Sequence, residues 1–124
     1  MLDGFKIVNL ATGFPTISIT KNGVALNKAS IIKLDYAERV YLMIDEAGKR
    51  IAVQRCEADD ESSVPFYRKQ KSMMVRWNNA DLESHIEKMM NWDLKTQGYK
   101  AAGEFLDEDK ALIFDLNKAT DING

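Results

Sequence analysis

Apolar and polar residues alternate from Thr16 to Thr20, with Ile17 and Ile19 on one side and Thr16, Ser18 and Thr20 on the other, which predicts a half-buried strand. Upstream, FKIVNL (Phe5 to Leu10) is β-branched and aromatic and predicts another strand, ended by the Gly and Pro of ATGFP. Asn22-Gly23 is the dipeptide a two-residue type I′ turn requires, because both central residues must take positive φ, so TISITK is expected to fold back onto VAL. Asn27 then stands where its side-chain oxygen caps a helix over Lys28 to Leu34, a bond worth about 1 kcal/mol. Ala29, Ile31 and Ile32 supply that helix's buried side, and two turns of helix need such packing to persist. Beyond it, Val40, Leu42 and Ile44 face Ile51, Val53 and Arg55 across EAGK, the period-two pattern of a second hairpin.

Polar and acidic residues from Glu57 to Ser63 interrupt the pattern and predict a linker closed by Pro65. SMMVRW reads as a strand, and Asn78 as the cap of a longer helix in which Leu82, Ile86, Met89 and Met90 form one apolar stripe. Asp81 falls in the first turn, where the helix dipole favours a carboxylate, and the helix is expected to end near Trp92. YKAAGEFL and KALIFDL flank DED as a third hairpin, and the polar tail NKATDING is expected to fray. These elements predict one compact α+β domain over residues 1–116, an antiparallel sheet or partly closed barrel with two helices. Its halves, 1–56 and 64–116, are joined by linker 57–63 and followed by a flexible tail, 117–124. Both halves run strand, Asn-capped helix, strand, acidic turn, strand, and LMIDEAGKRIAV parallels EFLDEDKALIF. A duplicated β-α-β-β plan accounts for this, as does convergence on a common small motif.

A chain of 124 residues is long enough to bury a self-sufficient core. Its single cysteine, Cys56, excludes an intramolecular disulfide, and with one histidine, His85, the usual Cys/His sets for structural zinc cannot be assembled. The N-terminal MLDGFKIVNLATG lacks the pattern of a secretion signal, and no run of about 18 apolar residues occurs, so a soluble cytoplasmic protein without membrane contact is expected. The net charge of -2 is unevenly spread: VPFYRKQKSMMVRW holds four basic residues and no acid, while from Asn79 onward ten acids face five bases. Nucleic-acid binding would therefore need basic residues gathered on one face.

TKNGVALNKASIIKLDYAERVYLMIDEAGKRIAV resembles the swapped-hairpin module of the AbrB and MazE type, found in bacterial transition-state regulators and antitoxins. The resemblance lies in Lys21 and Gly23 at the turn, Leu26-Asn27-Lys28 at the helix entry, Leu34 at its close, and Val40, Leu42 and Ile44 in the strand that follows. It implies DNA binding, with Lys21, Lys28 and Lys33 against phosphate. Asn27 replaces the family's proline, a harmless change at a helix start. Ile31 stands where the family's helix carries an arginine, and it makes no phosphate or base contact. Such modules are obligate dimers, so the second half of this chain would take the partner's place in a pseudo-symmetric monomer; monomer and homodimer both remain open.

His85 lies four residues after Asp81, a spacing that sets a carboxylate beside an imidazole on a helix, although a boundary histidine has the same spacing. Cys56 reads as a buried thiol rather than a nucleophile, and Asp59, Asp60 and Glu61 as solvated acids rather than ligands for a hard cation. No Gly-rich phosphate loop or Ser/His/Asp order occurs, so neither catalysis, metal nor cofactor is expected. Arg68, Lys69, Lys71 and Arg76, interleaved with Phe66, Tyr67 and Trp77, are the strongest nucleic-acid signal, since aromatics stack on unpaired bases while cations hold phosphate. The alternative is a sheet edge guarded by charge. The sequence thus predicts a non-enzymatic binding or regulatory protein, its partner either nucleic acid or another protein.

Overall fold

Ile17 and Ile19 are wholly buried along the first strand while Thr16, Ser18 and Thr20 are half-exposed, as the alternation predicts. The computed structural model describes residues 3–4, 13–57, 60–69 and 73–122. The predicted strand Phe5 to Leu10 lies outside the described residues, as do Asp59 and Lys71. Nine strands and two helices follow in the order β1 (Thr16–Thr20), β2 (Gly23–Leu26), α1 (Lys28–Lys33), β3 (Arg39–Asp45), β4 (Arg50–Arg55), β5 (Val64–Pro65), β6 (Val75–Trp77), α2 (Ala80–Met90), β7 (Tyr99–Leu106), β8 (Ala111–Asp115) and β9 (Thr120–Asp121) among the described residues. The fold is α+β, with every strand pair antiparallel.

The sheet runs β5-β3-β4-β8-β7-β1-β2-β6, with β9 beside β7, and curls into a half-barrel around one core. Its two end strands meet through side chains: Trp77 Nε1 in β6 donates to the Pro65 carbonyl in β5 at 2.7 Å, and the Trp77 ring lies 6.1 Å from that of Phe66. Inside, Leu26, Ile31, Ile51, Ile86, Leu112 and Phe114 are fully buried, each worth roughly 1.5–3 kcal/mol against exposure.

The pairing has an internal two-fold relation. In β4 and β8, Ile51↔Phe114 mirrors Val53↔Leu112, and Arg50↔Asp115 mirrors Gln54↔Ala111, about a central Ala52↔Ile113 rung. In β2 and β6, Val24↔Trp77 mirrors Leu26↔Val75 about Ala25↔Arg76. The first strand of each half crosses to the other: β1 pairs with β7 and β5 with β3. Both long hairpins close with a four-residue loop whose last residue, Lys49 or Lys110, takes positive φ (56° and 51°). The carbonyls of these lysines accept from Leu116 N (3.0 Å) and Arg55 N (2.9 Å), one in each half.

Local chemistry corrects several expectations. The first hairpin loop is Lys21-Asn22, with Thr20 paired to Gly23, and of Asn22 and Gly23 only Gly23 has positive φ (125°). Thr20 Oγ1 accepts from Asn22 N at 3.1 Å and tightens the turn one residue early. Asn27 caps α1 as expected and does more: its oxygen accepts from Ser30 N, Ser30 Oγ and Thr16 N, and its amide donates to the Phe14 carbonyl. Ser30, rather than Ile32, joins Ala29 and Ile31 on the buried side of that helix. The second cap is Asn79, not Asn78; its side chain accepts from Leu82 N at 2.9 Å, and Asn91 at φ 58° ends the helix one residue before Trp92. The tail expected to fray continues instead through a 3-10 turn, Leu116–Lys118, into β9 on β7.

Candidate nucleic-acid interface

Arg68 and Lys69 follow β5 as exposed residues, and Arg76 is exposed on β6. Arg76 Nη1 lies 3.5 Å from the Asn22 carbonyl, so this guanidinium sits beside the loop that presents Lys21. Arg68 lines two grooves at once. One, of about 210 Å³, also contains Arg76 and Trp77; the other, of about 900 Å³, is lined by Tyr36, Arg39, Arg55, Tyr67 and Lys69 among others. The structure thus places Lys69 and Arg68 along one groove and Arg68 and Arg76 along the other, and adds Arg39 and Arg55, which the sequence did not single out.

Lys28 and Lys33 do not line these grooves. Both are exposed on α1, and the Lys33 ammonium stands 5.6 Å from the centroid of the Phe105 ring. Ile31, at the place of the swapped-hairpin arginine, is wholly buried. A charged side chain there would lose its water without a phosphate to gain.

Arg55 Nη1 meets Asp35 at 2.9 Å and its Nε meets Glu57 at 3.3 Å, so two carboxylates balance it. Arg39 is held by hydrogen bonds to Ser63, from Nε to Oγ at 2.6 Å and from Nη2 to the carbonyl at 2.8 Å. Such bonds orient a guanidinium. Tyr36 and Tyr67 meet edge to face with centroids 5.3 Å apart, and Tyr36 is 45% exposed. Phe66 and Trp77, read from the sequence as stacking aromatics, serve the closure of the sheet instead: Phe66 is buried, and the Trp77 indole is tied to Pro65.

The acidic segment after Glu57 is anchored rather than a free linker. Asp60 Oδ2 accepts from the Tyr41 hydroxyl at 2.7 Å, Oδ1 accepts from Ser62 N at 2.8 Å, and the Asp60 carbonyl accepts from Ser63 N at 2.9 Å. The Tyr41 bond, then the Ser62 amide, hold the Asp60 carboxyl below its ordinary 3.8, and the same carboxylate pushes the Tyr41 phenol upward. A carboxyl depressed in the folded state adds stability above its unfolded pKa and loses it as pH falls through the folded value. Asp60→Asn should therefore lower the melting temperature at neutral pH and flatten its fall between about pH 5 and pH 2. Calorimetry at three pH values checks this; an unchanged acid slope would show that the Tyr41 bond carries no linkage. Asp45, depressed by the Gly48 amide and then by Arg50, contributes to the slope that remains.

His85 pairs with Glu46 of the β3–β4 loop rather than with Asp81, although Asp81 lines the same shallow pocket. The helix-spaced pair read from the sequence is thus replaced by a link between α2 and a hairpin loop. Cys56 is buried at the side of the larger groove and bonded to the Tyr41 hydroxyl. No helix is long and apolar enough to cross a membrane among the described residues. No family model matches the chain, and no curated protein or solved structure matches it.

Proposed function

We propose that the protein is a non-enzymatic, cytoplasmic nucleic-acid-binding protein that holds phosphates along the track from Lys69 through Arg68 to Arg76. The observation that carries this reading is that Arg68 joins both basic grooves, so a run of cations in sequence becomes a continuous feature in space. With a net charge of -2 the whole molecule offers no attraction to a polyanion, and affinity must come from this face. The exchange of first strands between the halves supports reading the fold as a fused swapped-hairpin pair. The burial of Ile31 and the position of Lys28 and Lys33 away from the grooves argue that contact is made by the β5–β6 side rather than by α1.

Three or four phosphates neutralised by Arg68, Lys69, Arg76 and Lys21 should give a slope of log K against log salt of about -2 to -4. The double variant Arg68→Ala/Lys69→Ala should shrink that slope by about two and weaken low-salt binding at least tenfold. Fluorescence anisotropy with pooled duplex and single-stranded oligonucleotides at two salt concentrations measures both. Absence of low-salt binding to any of them would end this reading in favour of a protein partner.

A further inference from the structure

Tyr36 is a large aromatic side chain that the core does not use. It follows α1 directly, and both it and Asp35 take left-handed backbone angles (φ 55° and 53°). The helix ends with Asp35 N donating to the Ile32 carbonyl and Tyr36 N donating to that of Ile31, a closure that ordinarily places glycine at the left-handed position. Two adjacent residues with side chains in this region carry a backbone cost, and such costs gather where a side chain is wanted for contact with a ligand. The ring is 45% exposed on the larger groove, and its one ring neighbour among the described residues, Tyr67, meets it edge to face and so covers at most one of its faces.

We infer that Tyr36 is a stacking platform for an unpaired base, so that the groove takes a single-stranded polynucleotide, RNA or DNA, rather than a duplex. This rests on the nucleic-acid reading above and deepens it. Arg68 and Lys69 line the same groove and supply the phosphate contacts, while a duplex keeps its base faces inside the stack. The internal two-fold strengthens the case. Tyr99 and Lys100 of β7 are covered by β9, whereas Glu38 and Arg39, their counterparts at the entry to β3, line the groove. The same closure at the end of α2 places Trp92 after left-handed Asn91, and Trp92 stacks on Tyr99 with centroids 3.9 Å apart, whereas the Tyr36 ring stays exposed on the groove.

The test compares wild type with Tyr36→Phe, Tyr36→Ala and Tyr36→Gly in anisotropy titrations against labelled oligo(dT), oligo(rU) and a mixed-sequence duplex. Single strands should bind more tightly than the duplex, and the two arms show which sugar is preferred. Tyr36→Phe should stay near wild type, while Tyr36→Ala and Tyr36→Gly lose about tenfold on single strands at an unchanged salt slope. Glycine is the residue best suited to this backbone angle, so lost binding in Tyr36→Gly cannot be ascribed to a strained or unfolded chain. Wild-type affinity in both truncations, or tighter binding to duplex, overturns the stacking role and leaves the phosphate track standing. No binding of any oligonucleotide at low salt overturns both.

Discussion

Gly23→Ala should cost about 3 kcal/mol or more, a large share of the 5–15 kcal/mol that holds an ordinary domain together. At φ 125° a side chain is strained whatever space surrounds it, by about 1–3 kcal/mol. Space is also missing: an added Cβ would lie 2.6 Å from the Trp77 carbonyl oxygen and 3.2 Å from Asn78 Cα. These are backbone atoms of the paired strand, so relief requires β6 to move. Its rungs to β2 and the Trp77–Pro65 bond that joins the two ends of the sheet move with it. Gly48→Ala is the control, because its Cβ would meet only Asp45 and Arg50 side-chain atoms, which can swing aside. Urea unfolding should show a large drop in midpoint for Gly23→Ala, at similar m, and a drop of less than about 1 kcal/mol for Gly48→Ala. Equal losses would mean that the approach of β6 to Gly23 does not matter.

Periodicity in the sequence reports which face of a strand is buried, not which strand lies beside it. Hence the register of β3 on β4, with Val40, Leu42 and Ile44 opposite Arg55, Val53 and Ile51, was legible from the alternating positions and EAGK. The pairing of β1 with β7 was not, since it depends on a core assembled from both halves. The Asn-Gly dipeptide suits more than one tight turn, and here Gly23 lies against the Trp77 carbonyl of β6, a strand distant in sequence. Two adjacent asparagines left the second cap ambiguous by one residue. The tail looked free because Thr120 and Asp121 carry no apolar pattern; they bind β7 through backbone pairing.

For the candidate site, Arg68, Lys69 and Arg76 were legible because they stand close together in the chain. Arg39, Arg55 and Tyr36 come from a helix end and two strands, and nothing local marks them. A left-handed helix closure usually announces itself with glycine; Asp35-Tyr36 gives no such signal. Lys28 and Lys33 were drawn in by resemblance, and Ile31 already carried the reason they stand apart. Its burial faces the helix into the core, so the cations on its exposed side are not gathered with those after β5.

Fragments 1–57 and 58–124 should be unfolded apart and should fold together when mixed in equal amounts. Cutting between the halves takes β7 from β1, β6 from β2, β5 from β3 and β8 from β4, so each of the four strands described in the first fragment loses a partner. The core goes too, because Ile17, Leu26, Ile31 and Ile51 pack in one cluster with Ile86, Leu112 and Phe114. A chain of roughly 60 residues buries only about 60% of its surface even when well folded, which leaves no margin for these losses. The two-fold relation offers the first fragment one escape, pairing with a second copy of itself, β4 on β4. Val53 would then stand where Phe114 now fills the core, a large-to-small exchange that costs less than the roughly 3–5 kcal/mol of Phe→Ala but still leaves a cavity. The mixed pair should therefore win over either homodimer. Circular dichroism of each fragment and of the mixture, with light scattering for stoichiometry, decides the matter. Cooperative unfolding of either fragment as a monomer would refute the interleaved pairing, and a stable homodimer of 1–57 that resists the second fragment would refute the role given to Phe114.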